Sequence, residues 1–389
     1  MPWPLDTGAK LRNYHLAHGL AGSMSVTLLA FGDEPSNQEL DQTYQRIVTV
    51  PRNERYSVGN MLRGALGRTP LPLLNYTTRE MAAALERLLA EDHFDLIQVE
   101  SIHLLNYLPV LRSARDHPLI VCDWHNVESD LMRQYAEREL NVARRTYARR
   151  TARLMSEAER RGLNEFDAHI AVSEVDAKRL QSINPEAKVF VIENGVDAAH
   201  YGDQQSATKN RVVFVGSMDY HANIEGATSF AREVWPVIRQ QQTDLRFTIV
   251  GRNPPPPVTE LSSIAGIEVT GSVADVRPFY REALAAVVPL NVGGGSRLKI
   301  LEAMAAGVPV VSTKLGAEGL DVSDGENIVL AESSSQLANG VLKVIDDVDL
   351  RARLIIGGQA LVRARYDWSM LGAKLFEQYQ RLLAGTERD

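Results

Sequence analysis

The chain has 389 residues, 44% apolar and 23% charged, with a formal net charge of −7. That length is too great for one ordinary core and predicts two domains, while the absence of a strongly basic half excludes bulk nucleic-acid binding. The single cysteine, Cys122, excludes a disulfide within the chain and fits a reducing compartment, and no run of 18 apolar residues offers a membrane-crossing helix. The expected location is therefore the cytoplasm.

In chain order, the first segment is Pro4-Leu5-Asp6-Thr7-Gly8-Ala9-Lys10-Leu11-Arg12, a polar turn that runs into a helical pattern. Lys10 and Arg12 read either as ligand-facing cations or as ordinary helix-start charges. Short β-branched runs then alternate with helical stretches. Strands are predicted at 25–30, 46–50, 96–100, 119–123, 168–172 and 189–192. Asp123-Trp124-His125-Asn126-Val127-Glu128 follows the fourth of these, a polar cluster at a strand's carboxyl end that is hard to explain as core. The run 133–161 reads as one long helix, with Arg138, Arg145, Arg149, Arg153 and Arg160 on one face at 100° per residue. Ala136, Leu140, Tyr147, Leu154 and Ala158 fall opposite. A solvated face is one reading of those arginines; contact with anionic lipid headgroups is the other. Ser173, and Asn194 with Gly195, follow two further strands.

A polar stretch between Gly195 and Asn210 marks the boundary. The expected domains are 1–197 and 198–365, with 366–389 as a terminal helix packing back toward the first domain. The second strand series is predicted at 211–215, 246–250, 267–270, 286–289, 308–312 and 328–330. Alternating strands and helices predict two α/β domains with parallel, doubly wound sheets. Such sheets bind ligands beyond the carboxyl ends of their strands. Beyond the fourth strand of the second series stands Asn291-Val292-Gly293-Gly294-Gly295-Ser296-Arg297-Leu298-Lys299, followed by a helical run that contains Glu302. Glycines let a backbone approach a ligand, and a helix start near Ser296 offers free N–H groups to an anion. Arg297 and Lys299 add two cations where the helix dipole disfavours them, which suggests an anionic ligand. Glu302 can accept from two vicinal hydroxyls of a ribose. Asp347-Val348-Asp349 imitates a metal-binding Asp-x-Asp but lies between two helical stretches, and reads as a helix cap. No metal site and no cofactor are expected.

These strings resemble the family 4 glycosyltransferases, which have the two-domain GT-B fold of paired Rossmann-like domains around an interdomain cleft. Gly-Ser-Arg-Leu-Lys-Ile-Leu-Glu-Ala is similar to the nucleotide-sugar motif of one subgroup, and Glu302 matches the second Glu of the family's Glu-x7-Glu signature. Its first Glu would fall at 294, which here is Gly294. Gly307–Thr313 and Gly316–Leu320 also resemble the family. Val212–Ser217 resembles the strand and glycine turn that open its second domain, with Gly216 in the turn. Many members carry an Arg and a Lys there for the diphosphate, but Ser217 and Asp219–Asn223 supply neither. The resemblance therefore hands that role to Arg297 and Lys299. It further implies that Gly251, Arg252 and Val273 flank the nucleotide, together with Gly216, Ser217, Gly294, Gly295, Ser296, Leu298 and Glu302. His125 is implied to face the donor sugar, with Asp6, Gly8, Lys10, Asn126, Ser173, Asn194 and Gly195 lining the acceptor side and the cleft.

The implied reaction moves a sugar from a nucleotide diphosphate to a glycan or lipid-linked acceptor, with retention of configuration. The rival expectations are an epimerase of the same fold, a glycan phosphorylase, and a non-catalytic two-lobed sugar-binding protein. A lipid-linked acceptor would suit a peripheral position at the inner face of a membrane through the Arg138–Arg160 face. Family members also have a buried strand just before the segment that matches Pro2–Arg12. No strand-like run precedes Pro2 here, so the natural start is expected roughly eight to ten residues upstream, by the usual length of a strand.

Overall fold

The computed structural model describes residues 1–33, 38–52, 58–202, 210–291 and 297–386. Among the described residues twelve strands form, all in parallel pairs. By its contacts the chain divides into two units. One holds Met1–Glu193 and Leu371–Asp389; the other holds Asn194–Gly293 and Arg297–Met370. The first unit thus ends four residues before the position read from the polar linker, and it takes most of the terminal helix Trp368–Thr386.

In the first unit, β1 (Thr27–Phe31) pairs with β2 (Arg46–Val50) as a sheet of its own. β3 (Leu96–Glu100), β4 (Leu119–Trp124), β5 (Ala168–Ala171) and β6 (Val189–Val191) make a second sheet in that order. The single doubly wound sheet expected here is therefore two sheets. β4 reads Leu-Ile-Val-Cys-Asp-Trp and is covered on both faces, which is why its run does not alternate. Cys122 is fully buried within it, and burial pushes its thiol well up, so it is an inert core residue.

The terminal helix packs against the first helix, Gly8–Ala21, in the same unit. A Cβ on Gly19 would lie 2.7 Å from Gly372 Cα, so two glycines let the helix backbones touch. Lys374 Nζ reaches Glu193 Oε2 at 2.8 Å, and Tyr379 Oη donates to Gln98 Oε1.

The helix expected over 133–161 is in fact two. Glu128–Arg138 ends at Glu139, and Asn141 caps Val142–Glu165 by accepting from Arg144 N. Arg138 therefore lies on a different helix from Arg145, Arg149, Arg153 and Arg160. The buried stripe of the second helix is Ala148, Thr151, Ala152, Met155, Ala158 and Glu159, at helical spacing. Leu140 and Tyr147, expected on the apolar face, are exposed at the corner between the helices. Glu159 caps the first helix instead: its Oε1 accepts from Ser129 N at 2.8 Å. Burial pushes its carboxyl up to about 7 against that hydrogen bond.

The second unit is one six-stranded sheet of order β12-β11-β10-β7-β8-β9. Its strands are β7 (Arg211–Val215), β8 (Arg246–Val250), β9 (Ile267–Gly271), β10 (Ala283–Val288), β11 (Val310–Thr313) and β12 (Val329–Ala331). The order reverses between β7 and β10, and at that switch point the loops at the strand ends diverge and open a crevice. A continuous apolar core of Val213, Phe214, Phe230, Trp235, Phe247, Ile249, Val287 and Val311 holds the sheet to its helices. Asp347 does cap a helix, accepting from Leu350 N at 2.8 Å. No helix among the described residues is long and apolar enough to cross a membrane.

Candidate functional site

In the second unit, the expected site residues lie where the topology puts them, after β7 and β10. Gly216 follows β7, and its N–H donates to Val250 O at 2.9 Å. A Cβ there would sit 2.8 Å from Asn223 Nδ2 and 3.0 Å from Lys299 Nζ, so any other residue would press on those two side chains. Gly251 is tighter still, with a Cβ falling 1.9 Å from Gly216 O. These two glycines let the loops after β7 and β8 lie against each other.

The helix after β10 begins at Leu298 rather than Ser296, with Arg297 at the cap position. Gly294, Gly295 and Ser296 lie outside the described residues. Lys299 and Glu302 are three apart on this helix and share a face. Lys299 Nζ donates to Asn223 Oδ1 at 2.5 Å and lies 4.8 Å from the Phe214 ring centre. Burial and the neighbouring Arg297 cation push its ammonium down to about 7, with Glu302 opposing. Glu302 receives the Tyr280 hydroxyl at 3.3 Å. Burial raises its carboxyl, against hydrogen bonds from Tyr280 and Tyr201. Tyr201 and Tyr280 meet edge to face, so an aromatic pair walls the carboxylate.

Arg297 is buried and turns the other way. Its guanidinium donates to Leu315 O at 2.8 Å and Glu318 O at 3.4 Å, holding the loop after β11. Ser217 and Arg252 are tied into one knot, for Arg252 Nε reaches Ser217 Oγ at 3.1 Å and Asp219 Oδ2 at 2.9 Å. Asn253, at φ 52°, donates to the same carboxylate. Leu298 is partly buried at the helix start, and Val273 packs on the edge of the core beyond β9. Asn194 and Gly195 are buried at the start of this unit, where the next residue, Val196, donates its N–H to Tyr366 O.

In the first unit, the candidate residues gather at the ends of β3 and β4, which pair Glu100 with Asp123. Arg12 comes from the first helix and is buried. It grips Asp123 with two bonds, 2.8 and 3.0 Å, and donates to Glu193 O at 3.0 Å. Arg12 is thus a buried ion-pair partner and not a solvated helix-start charge. His125 Nε2 lies 3.0 Å from Glu100 Oε2. Burial pushes the His125 pKa down, but the hydrogen bond to Glu100 and the Asp123 charge outweigh it, and the net shift is upward. Asn126 hydrogen-bonds Glu128.

Asp6 pairs with Lys10 at 2.8 Å, and Thr7 caps the helix that Gly8 begins. Ser173 is a helix cap too, accepting from Asp176 N. Glu100, Asp123 and His125 each bring one ligand atom within 4.8 Å of the others, the one such grouping among the described residues. Both Asp123 oxygens accept from the buried Arg12 guanidinium, so the trio is built around an ion pair.

Sequence reading missed Asn223, Glu100, Tyr201 and Tyr280. Glu100 alone had a usable signal, a carboxylate closing a strand run. Tyr201 and Tyr280 come beside Glu302 by folding from segments with no motif, and Asn223 comes from the segment already noted for lacking the usual cations.

Two family models match the chain in tandem, "Glycosyltransferase Family 4" over residues 7–200 and "Glycosyl transferases group 1" over 209–347. Among curated relatives, the phosphatidyl-myo-inositol mannosyltransferase of Mycobacterium leprae is 32% identical over 179 residues, 43% of this chain and 46% of that protein. The enzyme of the same name from Mycobacterium tuberculosis is 29% identical over 230 residues, 54% of this chain and 58% of that one. The chain thus spans about half the length of the curated relatives it matches. Among solved structures, the sucrose-phosphate synthase of Thermosynechococcus elongatus superposes with a TM-score of 0.74 at 18% identity, covering 97% of this chain and 94% of that one. Anabaena HepE, solved with UDP and glucose, gives 0.67 at 18% identity and covers 96% of each chain. These likenesses extend over almost the whole chain and establish the fold as GT-B, an α/β architecture with two Rossmann-like lobes. With one family model on each half, the chain belongs to the glycosyltransferases of the family 4 type.

Proposed function

We propose that the protein transfers a sugar from a nucleotide diphosphate sugar to a glycan or lipid-linked acceptor, with retention of configuration and without a metal or other cofactor. The observation that carries this is the helix after β10, which turns Lys299 and Glu302 to one side beside the glycine turn after β7. Lys299 takes the diphosphate and stabilises it as it leaves. Glu302 takes the two ribose hydroxyls, and its tyrosine wall keeps the carboxylate aimed. Arg297 acts on the diphosphate chiefly by fixing the 315–318 loop. His125, held by Glu100, contacts the donor sugar. Such a site works by positioning and by charge stabilisation of the leaving group. The named relatives include mannosyltransferases and a protein solved with UDP, in line with this reading.

Incubation with labelled UDP-, GDP-, ADP- and TDP-sugars tests it, because a transferase leaves a new glycoside and an epimerase or binding protein does not. Glu302→Gln is expected to weaken binding of the matching nucleoside diphosphate about tenfold or more, since hydrogen bonds to a charged group contribute about 1.5–3 kcal/mol. The melting temperature of the free protein should stay unchanged. Wild-type affinity in this variant would remove Glu302 from the ribose.

A lipid-linked acceptor is favoured by the corner between helices Glu128–Arg138 and Val142–Glu165. Leu140 is 90% and Val142 64% exposed there, with Tyr135 and Tyr147 beside them in sequence. Arg138, Arg144, Arg149 and Arg153 are exposed on the same two helices. Apolar side chains interleaved with arginines suit an anionic membrane surface. Sedimentation with phosphatidylglycerol vesicles is expected to fall about tenfold or more in Leu140→Asp/Val142→Asp. Equal binding by wild type and variant would assign the face to solvent.

A further inference from the structure

Glu100 sits at the end of β3, beside His125 at the end of β4, and its carboxylate is held from three sides. Oε2 faces His125 Nε2 at 3.0 Å. Gln98 Nε2 donates to Oε1 at 2.5 Å. With its amide turned to satisfy both ends, Asn13 on the first helix donates to Oε2 at 3.1 Å and to Ala9 O at 2.7 Å. Gln98 and Glu100 are two apart on one strand and so share a face. Gln98 in turn accepts from the hydroxyl of Tyr379, a buried residue of the terminal helix. The chain of contacts Tyr379–Gln98–Glu100–His125 thus runs from the last helix to the strand-end histidine, inside one structural unit. Directly after Glu100, Ser101 adopts φ 87°, a conformation costly for a residue with a Cβ. Its N–H donates to Asp123 O at 3.0 Å, which ties the turns after β3 and β4 together.

We infer that Glu100 is a positioning residue for His125, and that Gln98 and Tyr379 set its aim from the terminal helix. This rests on the reading of His125 as a donor-sugar contact. A carboxylate accepting from Nε2–H fixes the neutral ring in the tautomer whose Nδ1 lone pair is free. That lone pair accepts from a sugar hydroxyl, and it is lost when the ring takes up a second proton. Transfer therefore requires the neutral ring.

Other charged or titratable groups near His125 are Asp123, which raises its pKa, and Arg12, which lowers it. His103 and Glu128 couple to it as well. Tyr44 and Tyr379 are raised in part by Glu100. The Glu100 charge and hydrogen bond hold the His125 pKa above its ordinary value, so activity rises with pH through that pKa. Replacing the charge lowers the pKa and moves the rising limb to lower pH.

The test uses the full chain, free of substrate, with imidazole titrations followed by NMR on histidine-labelled protein. Glu100→Gln should move the His125 titration down by at least half a unit, and Glu100→Asp should restore most of it. Tyr379→Phe keeps the packing and removes the hydroxyl. It should lower the kcat of nucleoside diphosphate release from the donor sugar that the screen identifies about threefold or more, with KM unchanged. In a His125→Ala background, Glu100→Gln should have no further effect on kcat. An unmoved titration in Glu100→Gln, or fully additive losses in the double variant, overturns the inference. A His125→Ala variant with wild-type kcat instead defeats the reading of His125 beneath it.

Discussion

Replacing Lys299 by Met is expected to weaken nucleoside diphosphate binding about 10- to 150-fold, the span that corresponds to a charge-assisted hydrogen bond of about 1.5–3 kcal/mol. The free protein should fold as before, because the change removes a buried cation whose charged form is already disfavoured. The same lysine gives the binding a pH signature. Its ammonium titrates at about 7 in the free protein, and two phosphates beside it stabilise the charged form. The pKa is then higher in the complex than in the free protein, so binding takes up a proton. Affinity is strongest below about 7 and falls as pH rises from 7 through the pKa of the complex, by up to about tenfold per unit. Calorimetry between pH 7.5 and 9, in two buffers of different ionisation enthalpy, reads the uptake directly. Uptake near zero, or equal uptake in Lys299→Met, would detach this lysine from the diphosphate. Lys299→Arg separates charge from titration: it should retain part of the affinity and lose the pH dependence.

Arg12→Met should be among the most destabilising substitutions in the first unit. The Arg12–Asp123 pair is closed from solvent, with side-chain exposures of 1% and 0%. Removing the guanidinium strands a carboxylate in the interior, and breaking a buried pair in this way costs about 3–5 kcal/mol. In a protein of this size that corresponds to a melting temperature lower by on the order of 10 °C. The double change Arg12→Met/Asp123→Leu removes both charges and should recover much of the loss, because an apolar pair of similar volume carries no desolvation cost. Thermal unfolding of the single and double variants measures both effects. A single variant within 1 °C of wild type would mean that Asp123 finds another partner, and a double variant no better than the single would mean that packing, not charge, dominates the site.

What the sequence determined by itself is the succession of elements and the loops that carry chemistry. All twelve predicted strands form, and β2, β3, β7 and β8 have the predicted bounds. The reason is local: β-branched runs between polar turns have few other ways to satisfy their backbone, and buried parallel strands leave a continuous apolar signature. Lys299 drew attention as a cation at a helix start, where the helix dipole disfavours it, and Glu302 as a carboxylate in the helical run that follows. Gly216 and Gly251 were singled out by resemblance to family loops, although only packing reveals that Gly251 must admit Gly216 O where a Cβ would lie.

Tertiary structure decided the partners. Arg297 and Lys299 look equivalent in the sequence, two cations at one helix start, yet one grips carbonyls of the loop after β11 and the other meets Asn223. Arg12 and Asp123 are 111 residues apart, and nothing in either segment announces the other. The run 133–161 keeps helical periodicity throughout, and the break at 139–141 follows from a cap at Asn141 and from burial of a different stripe. The split of the first six strands into sheets of two and four is likewise invisible in the strand pattern, because pairing is chosen between strands and not within them. Side-chain direction and pairing depend on what packs behind each residue, and a sequence records that only through the fold it adopts.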